Sequence, residues 1–133
     1  MNVQMALKRI IINEAGEQQH IELKEVDGER RFTIVIGAYE AEMIERRVKK
    51  IASARPLTHD LIVSAVSEMG GELRDIVISE LREHTYYAKL RVFLSGEMIE
   101  IDSRPSDAIA VAVAAEVPVY VADDVLEAAC REE

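Results

Sequence analysis

The sequence predicts an α+β fold: a compact single domain in which a largely antiparallel or mixed sheet of about six to seven strands packs against three to four helices. Three observations predict it. Segments rich in Ile, Val and Leu and bounded by turn residues alternate with segments of helical period. The run from Ala108 to Ala115 is apolar on every side, so a helix over 108–115 has to be buried. A chain of 133 residues with 49% apolar content builds one core and leaves little room for two.

Val3 to Ile12, His20 to Val26 and Arg31 to Ile36 read as strands, separated by Asn13, Gly16 and Asp27-Gly28, residues that turn readily. They predict a three-stranded meander. After Gly37 the period changes. Ala41, Ile44, Val48 and Ile51 recur at helical spacing on one face. The outer face runs from Glu40, Glu42 and Glu45 to Arg46, Arg47, Lys49 and Lys50, the order that complements the helix dipole. Arg55-Pro56-Leu57-Thr58-His59-Asp60 opens a second helix, with Thr58 as N-cap, Leu57 placed to staple onto Ile62, and Gly70-Gly71 as the stop. Glu72 to Leu81, Tyr86 to Leu94 and Met98 to Asp102 are three more strands, the last two joined by a tight turn at Ser95-Gly96. Pro105 takes the first position of the helix whose body is Ala108 to Ala115, and its alanines allow close approach to a sheet. A short strand from Val119 to Val121 follows Pro118, and an acidic helix starts at Asp123. No repeat, linker or low-complexity stretch divides the chain, so residues 1–133 read as one domain.

Composition removes several classes of function. Sixteen Lys plus Arg against 25 Asp plus Glu give a net charge of −9, which argues against a protein that coats DNA electrostatically. The lone cysteine, Cys130, excludes an internal disulfide framework and any multi-cysteine metal centre, and suits a reducing compartment. No apolar run approaches the roughly 20 residues needed to cross a bilayer. The start of the chain, through Val3, Lys8 and Arg9, lacks the ordered regions of a signal peptide. A cytoplasmic protein without a membrane segment is expected. Phosphate-cradling Gly-x-x-x-x-Gly-Lys loops, dinucleotide fingerprints, Gly-x-Ser-x-Gly elbows and His-Glu-x-x-His helices are all absent.

The segment Ile101-Asp102-Ser103-Arg104-Pro105-Ser106-Asp107 carries the most chemistry. It sets two carboxylates, two hydroxyls and a guanidinium at a helix start, where unpaired N–H groups and partial positive charge favour phosphate. Arg104 and Ser106 suit phosphate oxygens, and Asp102 or Asp107 suits a divalent cation. The same residues also have a plainer role, capping the helix and pairing Arg104 with a carboxylate. His59 and Asp60 stand at the second helix start, a titratable imidazole beside a carboxylate, although adjacent residues on a helix do not face each other. Glu40, Glu42 and Glu45 are carboxylates on one helix edge whose default is a solvated face. Arg46, Arg47, Lys49, Lys50 and Arg55 make the only stretch suited to nucleic-acid phosphates, and its default is also a surface. Tyr86 and Tyr87 would stack on bases if exposed, while strand tyrosines are usually packing residues. His20 and His84 receive no role.

Taken together, Arg55-Pro56-Leu57-Thr58-His59-Asp60, Tyr87-Ala88, Ile101-Asp102-Ser103-Arg104-Pro105-Ser106-Asp107-Ala108-Ile109-Ala110 and Pro118-Val119-Tyr120-Val121 resemble the bifunctional nuclease domain family in order and approximate spacing. The resemblance implies a compact α+β domain, often a homodimer in bacteria, and cleavage of both DNA and RNA. His59, Asp60, Asp102, Arg104, Ser106 and Asp107 stand at the family's motif positions. Chemistry applied to them makes His59, Asp60, Arg104 and Asp107 the catalytic candidates and Arg104 and Ser106 the phosphate ligands. Asp102, Asp107 and Asp60 become the ligands of a divalent metal, Mg²⁺ or Mn²⁺. That scheme requires the two motif segments to meet at one hollow. The alternative is a non-catalytic homodimeric binding or regulatory module that recognises a protein partner or an anionic ligand, with the same residues capping helices and forming salt bridges. Short strands that leave sheet edges uncovered also point to a dimer.

Overall fold

Strand β1 (Asn2–Ile11), β2 (Gln18–Glu25) and β3 (Arg31–Gly37) form the expected meander. Helices α1 (Ala38–Val48) and α2 (Thr58–Glu68) follow, then β4 (Glu72–Arg82), β5 (Thr85–Leu94) and β6 (Glu97–Ser103). The chain ends with α3 (Pro105–Ala115), β7 (Val119–Ala122) and α4 (Asp123–Glu132). This computed structural model describes residues 1–13, 15–16, 18–51 and 55–132. The seven strands make one mixed sheet in the order β3-β2-β1-β7-β4-β5-β6. Four-residue β7 sits in its middle, antiparallel to β1 and parallel to β4, and joins the two antiparallel halves.

The sheet rolls. Phe32 on β3 and Tyr86 on β5 stand five places apart in strand order, about 24 Å across a flat sheet at the usual strand spacing. Their ring centroids are 5.7 Å apart. The Phe32–Tyr86 contact thus brings the β3 edge round to the start of β5, and Tyr86 serves as a packing residue. Tyr87 does too, since Arg82 lies over its ring at 4.4 Å.

Helix α3 is buried as its apolar composition demands. Ala108, Ile109, Ala110, Val111 and Ala112 are all at most 4% exposed, packed between β4 and β5 on one side and α1 and α2 on the other. Burying Ile109 and Val111 contributes about 1.5–3 kcal/mol each. Pro105 occupies its first turn with Arg104 as N-cap.

Two helix ends depart from the expected reading. Ala41 and Ile44 are buried, but Val48, the last residue of α1, and Ile51, beyond its end, are half exposed. Lys50 turns left-handed at φ 57°, and the N–H groups of Ile51 and Lys50 return to the carbonyls of Arg46 and Arg47, a Schellman closure. Gly70, at φ 90°, closes α2 in the same way. At the start of α2, Leu57 rather than Thr58 is the N-cap, and its N–H donates to the Asp60 carboxylate at 3.0 Å.

Candidate functional site

The two motif segments meet through one pair of side chains 48 residues apart. His59 Nε2 lies 3.2 Å from Asp107 Oδ1, which joins the first turn of α2 to the first turn of α3. Arg104 grips the same carboxylate with its fork, Nε donating to Oδ2 at 2.8 Å and Nη2 to Oδ1 at 3.2 Å. Nη2 also donates to Glu40 Oε2 at 3.1 Å, which ties in the first turn of α1. Three helix starts therefore converge, and each brings the partial positive charge of its N-terminus.

Burial pushes the Asp107 carboxyl up, yet the hydrogen bonds from Arg104 and His59 outweigh it and hold the group below the ordinary carboxylate value. Asp107 is thus an anion at neutral pH. In turn its hydrogen bond raises the Arg104 guanidinium above its usual value. The residues differ in access. The side chain of His59 is only 9% exposed, that of Asp107 32% and that of Arg104 65%. A buried imidazole, an oriented carboxylate and a largely open guanidinium are a set that can move a proton and bind an anionic oxygen.

These groups line a hollow of about 670 Å³ whose apolar walls include Ile62, Leu90, Ile101 and Val111. Asp102, exposed at the end of β6, stands on its rim. Ser106 is buried and faces a neighbouring hollow of about 600 Å³, between β3 and the start of β5, which Arg104 also borders. Asp60 points elsewhere: it lines a third hollow together with Arg46, Arg47 and Arg55. Its Oδ2 accepts the Leu57 N–H and its Oδ1 lies 3.5 Å from Arg47 Nη1.

That placement bears on the metal expected at Asp102, Asp107 and Asp60. A divalent cation needs several oxygens free to converge on it. Asp107 spends both of its oxygens on Arg104 and His59, Asp60 spends both on Leu57 and Arg47, and the two line different hollows. As arranged, this donor set does not fit one ion. Among the described residues no group of three or more His, Cys, Asp or Glu is placed to hold a metal.

Glu40 is the site residue that the sequence undervalued. Its side chain is 15% exposed and paired with Arg104, although its charge pattern reads as a solvated helix edge. The one available signal was its place in the first turn, beside Gly37, where a carboxylate meets the helix N-terminus.

A bifunctional nuclease domain is matched by residues 21–133 of the chain. An uncharacterized protein of Mycobacterium tuberculosis is 36% identical over 117 residues, covering 88% of this chain and 70% of its own length. Bifunctional nuclease 2 of Oryza sativa subsp. japonica is 30% identical over 114 residues, 83% of this chain and 35% of its own. Bifunctional nuclease 1 of Arabidopsis thaliana is 29% identical over 91 residues, 66% of this chain and 28% of its own. The chain thus spans about a third of the length of these plant proteins.

Proposed function

Since the chain belongs to the bifunctional nuclease domain family, we propose that it is a cytoplasmic nuclease that hydrolyses phosphodiester bonds of DNA, RNA or both. The observation that carries this reading is the His59–Asp107 contact, because it turns two separate motif segments into one site with Arg104 open beside it. Asp107 accepts the Nε2 proton of His59 and fixes the ring, which leaves Nδ1 as the basic nitrogen and stabilises the imidazolium once it forms. His59 then takes the proton of the attacking water. Arg104 holds a phosphate oxygen and neutralises charge that develops on it, while Glu40 and Asp107 aim its fork. Mg²⁺ or Mn²⁺ enters this proposal as a variable of the assay, and no step runs through it.

Purified protein and its Asp107→Ala variant would be incubated with single-stranded DNA and RNA, with Mg²⁺, Mn²⁺ or a chelator. Cleavage by the wild type and a rate lowered about 10²-fold or more in the variant is expected. Equal cleavage by both would mean a contaminant, and no cleavage by either would favour the second reading.

That second reading, a non-catalytic homodimeric module for a protein partner or an anionic ligand, is favoured by the closure of the Arg104–Asp107–Glu40 network on itself and by the net charge of −9. Both readings include a homodimer. Edge strand β6 exposes Ile99 and Ile101 on one face and Met98 on the other, apolar side chains at an open sheet edge that a second copy could cover. Sedimentation at micromolar concentration should give twice the mass of one chain; the mass of one chain would refute the dimer.

A further inference from the structure

The hollow on the other side of α2 has no part in the chemistry above. Arg46 and Arg47, at the end of α1, and Arg55, before α2, line a recess of about 360 Å³ with Leu57, Asp60 and Ala114. Its charge is opposite to that of the chain. Three guanidiniums face one carboxylate, and Asp60 is already held by Arg47 and by the Leu57 N–H. Arg47 is fixed in advance, since its Nη2 donates to the Ala114 carbonyl at 2.9 Å. Arg55 is exposed and has no hydrogen bond or ion pair among the described residues. The N-terminus of α2 adds partial positive charge.

A small separate cavity lies between the recess and the first site. It measures about 20 Å³ and is lined by Arg47, Leu57 and Asp60, which face the recess, and by His59, which faces the other hollow. We infer that the Arg46–Arg47–Arg55 recess is a second phosphate subsite, one that grips a phosphate flanking the scissile bond of a single-stranded nucleic acid. The inference rests on the nuclease reading of the neighbouring hollow and supplies what that reading lacks, a source of affinity in an acidic protein. Guanidinium forks match phosphate oxygens, and a local positive focus attracts a polyanion whatever the net charge. A single strand can bend over the start of α2 from one hollow to the other. Duplex DNA, stiff over about 150 base pairs, cannot follow that path without a large deformation cost.

Binding of a fluorescein-labelled single-stranded DNA would be followed by anisotropy across a salt series, in an Asp107→Asn background that removes cleavage from the measurement. Adding Arg46→Gln and Arg55→Gln should weaken binding about 10-fold and lower the slope of log K against log salt by about 1.4, two contacts at roughly 0.7 each. Arg74→Gln with Arg82→Gln, which removes two arginines of β4 outside the recess, should leave the slope unchanged. Thermal melts would confirm that each variant is folded. An unchanged slope in the folded Arg46→Gln/Arg55→Gln protein overturns the subsite. Equal affinity for a duplex, or displacement of the strand by inorganic phosphate at equal phosphate concentration, overturns its assignment to a single strand. A wild type that binds with the expected slope but cleaves nothing sinks the nuclease reading and leaves the recess as a single-strand phosphate site with no scissile bond beside it.

Discussion

His59 and Asp60 are consecutive residues that serve different hollows. On one side of α2, His59 joins Asp107, Arg104 and Glu40 in one hydrogen-bonded network. On the other, Asp60 is outnumbered by Arg46, Arg47 and Arg55. A helix advances about 100° per residue, so a titratable pair adjacent in sequence is divided by the backbone that carries it. The first hollow is preorganised by its own hydrogen bonds and is lined by more carboxylates than guanidiniums, and the second is lined by more guanidiniums than carboxylates. On the nuclease reading, proton transfer needs fixed geometry and capture of an anion needs surplus charge, and a single helix start would supply one to each side.

The sharpest way to break this comparison is to remove the carboxylate at the centre of the first hollow. Asp107→Ala leaves His59 without an orienting partner and Arg104 without its clamp, and cleavage should fall about 10²- to 10⁴-fold. Loss of these charge-assisted bonds should also cost about 1–3 kcal/mol of stability, read by denaturant unfolding. Asp60→Asn, one residue from His59 and in the other hollow, should lower the cleavage rate no more than a few-fold. Comparable rate losses in the two variants would show that the division into two hollows has no chemical meaning.

Arg104→Lys is the next test. The guanidinium fork meets both oxygens of Asp107 and still reaches Glu40, and a single ammonium cannot reproduce that geometry. Cleavage should drop about 10-fold or more, since the charge survives and the alignment does not. A Lys variant as active as the wild type would reduce Arg104 to a point charge.

The depressed Asp107 pKa sharpens the contrast through pH. A carboxylate held below its unfolded value of 3.8 stabilises the fold fully above that value. The contribution is lost as pH falls through the lower, folded value. Between pH 5 and 8 this group should add no slope to stability. Below pH 4 the wild type should lose stability more steeply than Asp107→Asn, as thermal melts across an acid series would reveal. Parallel curves would mean that the carboxylate gains nothing from Arg104 and His59.

Much of this arrangement was legible in the sequence because it is local. The meander follows from alternation and turn residues, the burial of α3 from its lack of a polar face, and the stop at Gly70 from a position that needs positive φ. The nuclease scheme required the two motif segments to meet; the His59 and Asp107 turns do, at 3.2 Å, while Asp60 lines another hollow. What stayed hidden depends on contacts distant in sequence. Insertion of β7 into the middle of the sheet, the Phe32–Tyr86 closure and the burial of Glu40 against Arg104 leave no periodic trace. The end of α1 was misjudged for a subtler reason: Val48 and Ile51 keep the helical spacing, but a lysine at φ 57° ends the helix where a glycine would have announced the stop.

The smallest expected effect separates two roles of one carboxylate. Asp60 accepts the N–H of Leu57, an otherwise orphaned donor at the helix start, and lies 3.5 Å from Arg47. Asp60→Ala should therefore cost about 1 kcal/mol through the lost cap, and for a domain of this size lower the melting temperature by a few degrees. The same change strips from the arginine recess the one carboxylate among its described residues. Affinity for single-stranded DNA should accordingly rise at low salt while stability falls, and the gain should vanish as salt screens the arginines. A cap alone moves only the melt, and a countercharge alone moves only the binding. Opposite movement of the two is what a carboxylate shared between a helix start and an anion subsite requires.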